Sequence, residues 1–96
     1  MKEIKIAKLT GTFAENKDVA RDLRLKKIIP AIETKEGIIL NFAGIEGATQ
    51  SFIHALMSDV IRRYGIEVLD KISFKDCNET VRKIISMVVD YMQESS

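Results

Sequence analysis

Apolar positions recur along the chain with two periods, one that suits strands and one that suits helices. Ile4, Ile6 and Leu9, separated by Lys5 and Lys8, alternate as a half-buried strand that Gly11 ends. Asn16 is a natural cap for a helix over residues 17–28, with Val19, Ala20 and Leu23 inside and Pro30 as its stop. Residues 31–34 form a candidate short edge strand. The run Ile38-Ile39-Leu40-Asn41-Phe42 is the most apolar strand candidate and is placed at the centre of the sheet. Phe52, Ile53, Leu56, Met57, Val60, Ile61 and Tyr64 then follow i, i+3/i+4 spacing, which predicts a helix over residues 49–64 with Gly65 behind it. Residues 68–74 read as a third strand. Asn78 opens a last helix whose stripe is Val81, Ile84, Ile85, Val88, Tyr91 and Met92.

The resulting order, β-α-β-α-β-α, predicts a small α/β domain with a mixed, mostly parallel sheet. The outer strands are amphipathic, unlike strands buried on both faces, so the helices are expected to crowd one face. The other face should stay partly open, where a second subunit or another protein could cover it. Neither a linker nor a repeat interrupts the chain, so residues 1–96 are expected to form one unit.

Composition narrows the class. The apolar share is 46% and the charged share 30%, ordinary values for a soluble globular protein. No apolar run approaches the ~20 residues that cross a bilayer. The alternation Met1-Lys2-Glu3-Ile4-Lys5-Ile6 lacks a signal core, and the single cysteine, Cys77, cannot form an internal disulfide. A reducing cytoplasm is the expected location. Charge is balanced overall at +1 but uneven along the chain. Residues 1–37 carry nine Lys/Arg against six acids, whereas residues 67–96 carry four against six. Lys17, Arg21, Arg24 and Lys27 form a candidate basic surface, either a dock for an acidic partner or a solvated helix face. No aromatics interleave with them as base stacking would need.

Catalytic chemistry finds little support. One histidine, His54, cannot anchor a familiar metal site, and Cys77 has no second histidine to activate it. Ser51 and His54 are three residues apart on one helix, yet no buried acid or oxyanion hole accompanies them. Gly44-Ile45-Glu46-Gly47 lacks the Gly-Lys-Ser/Thr ending that grips terminal phosphates. The chain is therefore read as non-enzymatic, with no cofactor and no metal.

One segment does carry a signal. Residues 42–52 lead from the central strand into the clearest helix, at the carboxyl edge of the sheet, where open parallel sheets carry function. Thr49 and Ser51 bring hydroxyls to the first turn, beside unpaired amides and the positive end of the helix dipole. One of them caps the helix; the other reading makes Ser51 a phosphorylation switch. A phosphate there adds about −1.5 to −2 charges, which first-turn amides tolerate and an apolar dock does not. Glu46, Gln50, Ser51, His54 and Ser58 are the expected docking surface, with Ser51, His54, Ser58 and Arg62 facing solvent.

The residues around this segment resemble a family. Gly11 and Phe13, Asn16-Lys17-Asp18-Val19-Ala20, the strand and loop from Ile38 to Ile45, Ser51-Phe52, and later Phe74, Asn78 and Val81 are similar to the STAS-like domain family of unknown function. That family is named for its likeness to the sulfate transporter and anti-sigma factor antagonist domains. The resemblance implies a bacterial regulatory module acting by protein–protein contact. In the antagonists, a serine at this helix start is phosphorylated by a kinase of the histidine-kinase-like ATPase fold, and the resemblance implies that role for Ser51, with Thr49 second. Lys17 stands where the family has arginine, Asn41 where it has aspartate, and His54-Ala55 where it has an acidic pair. Two alternatives stand beside this reading: a constitutive oligomerising or scaffold subunit, and a nucleic-acid contact through residues 17–27 in a defence or toxin–antitoxin system.

Overall fold

The computed structural model describes residues 2–95, so both terminal residues of the expected unit lie outside the described residues. Three parallel strands, β1 (Lys2–Lys5), β3 (Ile38–Asn41) and β5 (Ile72–Lys75), pair in the order β1-β3-β5. Register aligns Ile4 with Leu40 and Phe74, and Glu3 with Ile39 and Ser73. Because strand side chains alternate, the first set shares one face and the second set the other. Ile38, Leu40 and Ile72 are buried on the inner face, while Glu3, Ser73 and Lys75 on the outer face are exposed. β3 is central, and the sheet is one-sided, as its amphipathic edges require.

Between β1 and β3 lie α1 (Ala7–Thr10), β2 (Phe13–Ala14), α2 (Lys17–Leu23) and α3 (Ile29–Glu33). The first strand thus ends earlier than expected. Lys8 and Leu9 belong to a single helical turn in which the Leu9 and Thr10 amides both donate to the Ile6 carbonyl. Asn16 caps α2 as expected, its Oδ1 accepting from the amides of Asp18 and Val19. Pro30 does not stop the helix. A wide π turn over Arg24–Ile28 joins α2 to α3, with the Ile29 amide donating five residues back to the Arg24 carbonyl. Pro30 follows in the first turn of α3, where the wide turn has already broken the regular ladder and a missing N–H costs little. Residues 31–34, expected as an edge strand, close α3 and its C-cap at Thr34.

After β3, the two-residue β4 (Gly47–Ala48) pairs parallel with β2. α4 (Gln50–Tyr64) follows and ends at Gly65, whose φ of +84° favours glycine. A 3₁₀ segment, Ile66–Lys71, takes the first half of the expected third strand, leaving β5 to start at Ile72. α5 (Glu79–Ser95) closes the chain. α4 packs between α2 and α5, and Phe52, Ile53, Leu56, Met57 and Val60 are fully buried along it. No helix among the described residues is long and apolar enough to cross a membrane.

Candidate functional site

The turn entering α4 is assembled from strand ends that cannot continue. Asn41 closes β3 with its Oδ1 accepting from the Ala43 amide at 2.8 Å, which folds the chain back at once. Gly44 follows at φ +83°. The Ile45 amide donates to the Phe42 carbonyl, the Glu46 amide to the Thr12 carbonyl at 2.7 Å and the Thr49 amide to the Ala14 carbonyl at 2.9 Å. From the other side, Asn78 Nδ2 donates to the carbonyls of Ile45 and Glu46 at 3.1 and 3.0 Å. The same asparagine caps α5, its Oδ1 accepting from the Val81 amide at 2.8 Å. Phe13 lies over Gly47 so closely that a Cβ there would meet a ring carbon at 2.9 Å.

On this frame the two candidate hydroxyls part ways. Thr49 is the N-cap: its extended backbone puts Oγ1 3.1 Å from the Phe52 amide, which donates to it. Ser51, two residues on, is exposed in the first turn. It borders a shallow depression of about 390 Å³ lined by Lys17, Gln50, His54, Ala55 and Tyr91 as well. The His54 and Tyr91 rings meet there, centroids 6.3 Å apart. A second hollow of about 670 Å³ continues beyond them between α4 and the end of α5. The site therefore combines a hydroxyl at a positive helix end with an ammonium group, an imidazole and a phenol.

Of the expected docking residues, Glu46, Gln50 and Ser51 are exposed and His54 is half-buried. Ser58 is not part of this surface; only 5% of it is accessible. α4 is flanked by a helix on each side, so its buried arc is wider than one apolar stripe. The basic surface also divides. Lys17 borders the Ser51 depression, whereas Lys27 borders a different groove with Lys8 and Leu9. Arg21 is exposed. Arg24 turns inward with 12% of its side chain accessible, donating from Nη1 to the Ala55 carbonyl at 2.6 Å and pairing with Asp59 at 3.4 Å. Its role is to fasten the wide turn onto α4.

Tyr91 is a site residue that sequence reasoning missed, and Asn78, legible as the cap of α5, has ties to the turn that the sequence does not show. Tyr91 belongs by spacing to the apolar stripe of α5, yet 58% of it is exposed. Its spacing of four from Met87 is the signal that both stand on one outer face.

The outer sheet face, the second candidate surface, has a polar centre. Asn41 Nδ2 donates to Glu3 Oε2 at 2.7 Å, and Lys75 Nζ lies 3.8 Å from the same oxygen. The Asn41 hydrogen bond first, then Lys75 and Lys5, hold the Glu3 carboxyl below the usual carboxylate range. Cys77 behaves differently: burial pushes its thiol up, away from the reactive thiolate. No group of three or more His, Cys, Asp or Glu that could hold a metal occurs among the described residues.

A family model described as a STAS-like domain of unknown function covers residues 19–82, from α2 through the site to the start of α5. No curated protein and no solved structure matches the chain.

Proposed function

Because the chain belongs to the STAS-like domain family, we propose that it is a non-catalytic regulatory module. It works by protein–protein contact through the turn entering α4, with Ser51 as the phosphorylated residue. The observation that carries this reading is the division of labour between the two hydroxyls. Thr49 supplies the cap, so Ser51 is exposed without a structural duty in the helix start. A phosphate on Ser51 would meet the first-turn amides of α4 and the Lys17 ammonium across the depression. It would add negative charge to a docking surface without disturbing the frame beneath, so modification would break a complex and leave the fold intact. The partner class that suits this role is a serine kinase of the histidine-kinase-like ATPase fold.

Incubation with ATP and such a kinase, followed by mass spectrometry, should place phosphate on Ser51. Ser51→Asp should weaken partner binding by about tenfold or more, while Ser51→Ala keeps binding and loses phosphorylation. Phosphate found only elsewhere, or Ser51→Asp binding as wild type, overturns the switch.

A further inference from the structure

A second pair of surfaces owes nothing to the phosphorylation reading: one lies at the β1 edge, and the other is a face of α5 whose Tyr91 also borders the Ser51 depression. At the β1 edge of the molecule two hollows, of about 630 and 250 Å³, meet at Leu9 and Lys27. Their apolar lining is Ile4, Leu9, Val19 and Leu23. Leu9 is 49% exposed, a large side chain left in water between lysines. Lys5, Lys8, Lys26 and Lys27 stand around it. The two acids there are Glu3 and Asp22, and Glu3 is engaged by Asn41 and Lys75. The groove is thus apolar at its floor and positive at its rim.

The opposite chemistry stands on α5. Met87 and Tyr91, one turn apart, are 51% and 58% exposed. Asp90 and Glu94, both exposed, flank them, and the last turn of α5 holds no basic residue to offset the negative helix end. These two surfaces cannot meet within one molecule. α4 separates α2 from α5, and β1 and β5 are the opposite edges of the sheet.

We propose that the chain associates head to tail, the Met87–Tyr91 face of one copy seating on the Leu9 groove of a second copy. Charge complementarity picks the occupant: the chain's own surplus of Lys/Arg lies in residues 1–37 and its surplus of acids in residues 67–96. Such a contact is heterologous, since each copy offers two different patches, and it propagates into chains or rings instead of closing as a two-fold dimer. The patches are small, so the association is weak, with a Kd in the range of about 10 µM to 1 mM.

Sedimentation velocity across that range tests it. Wild type should form dimers and larger species whose association constant falls about tenfold as salt rises from low to high. Lys8→Glu/Lys27→Glu blocks the groove, and Met87→Gln/Glu94→Gln blocks the α5 face without creating a positive patch for the reversed groove. Each should be monomeric alone. Mixed in equal amounts they should form a 1:1 dimer and nothing larger, because one intact groove then meets one intact α5 face. All four positions are exposed, and circular dichroism checks the fold; Leu9→Gln is the second groove variant should the charge reversals unfold. Wild type that stays monomeric at about 1 mM overturns the proposal. So does a closed dimer that both blocked variants still form, or a mixture that stays monomeric.

Discussion

The turn entering α4 and the outer face of the sheet are both open to solvent, yet their polar groups are used in opposite ways. At the turn, backbone groups are bound by the protein itself: Glu46 by Thr12 and Asn78, Thr49 by Ala14, and the Phe52 amide by the Thr49 hydroxyl. The side chains of Ser51, Gln50 and Glu46 project from that fixed backbone. On the sheet face the side chains hold one another, with Glu3 taken by Asn41 and Lys75. A partner approaching the turn meets groups in fixed positions. A partner approaching the sheet has first to displace an existing hydrogen bond. Exposure alone does not separate the two surfaces; the accounting of donors and acceptors does.

Substitutions can break this contrast in order of size. Asn78→Ala removes both ties to the turn and the cap of α5, and should cost about 2 kcal/mol in urea denaturation. It should also weaken any partner contact at Ser51, because the turn loses both of those ties, a loss read in a binding titration. Asn41→Ala frees the Ala43 amide and the Glu3 carboxylate together, at about 1.5 kcal/mol by the same measurement. Thr49→Ala should cost about 1 kcal/mol, against less than about 0.5 for Ser51→Ala. Equal losses from that pair would erase the distinction between cap and exposed hydroxyl. The smallest effect belongs to pH. Glu3 has its carboxyl pKa lowered in the folded state, so its contribution is present above the ordinary glutamate value and is lost as pH falls through the lowered one. Stability curves of wild type and Glu3→Gln should therefore differ at neutral pH and converge in acid.

What could be read from the chain followed the length of each pattern. α4 is legible because seven apolar residues keep one spacing over four turns and Thr49 and Gly65 mark its ends. The caps at Asn16 and Asn78 were readable for the same reason, each preceding a periodic run. α1 is one turn long, too short for a 3.6-residue period to separate from alternation, so Leu9 looked like strand. β2 and β4 are two residues each and carry no pattern at all; only pairing across the chain makes them strands. Val68 and Leu69 carry apolar side chains into a 3₁₀ turn that resembles a strand on paper. At the site, the position and exposure of Ser51 were legible. Ser58 and Arg24 were not, because burial from a second flanking helix and an inward-turned guanidinium depend on tertiary neighbours.

The wide turn at Arg24–Ile28 has a consequence for how this chain can vary. It holds one residue more than an ordinary turn, and on a regular helix one residue amounts to about 100° of rotation. That surplus is what brings Ile28, Ile29 and Ile32 inward while Pro30 points to water. A relative shortened by a single residue there would swing the whole downstream segment off its seat, while one shortened within the exposed 34–36 loop would not. Insertions and deletions across residues 24–28 should accordingly be rare, and where they occur they should travel with compensating changes at Ala55 and Asp59, the Arg24 anchor points.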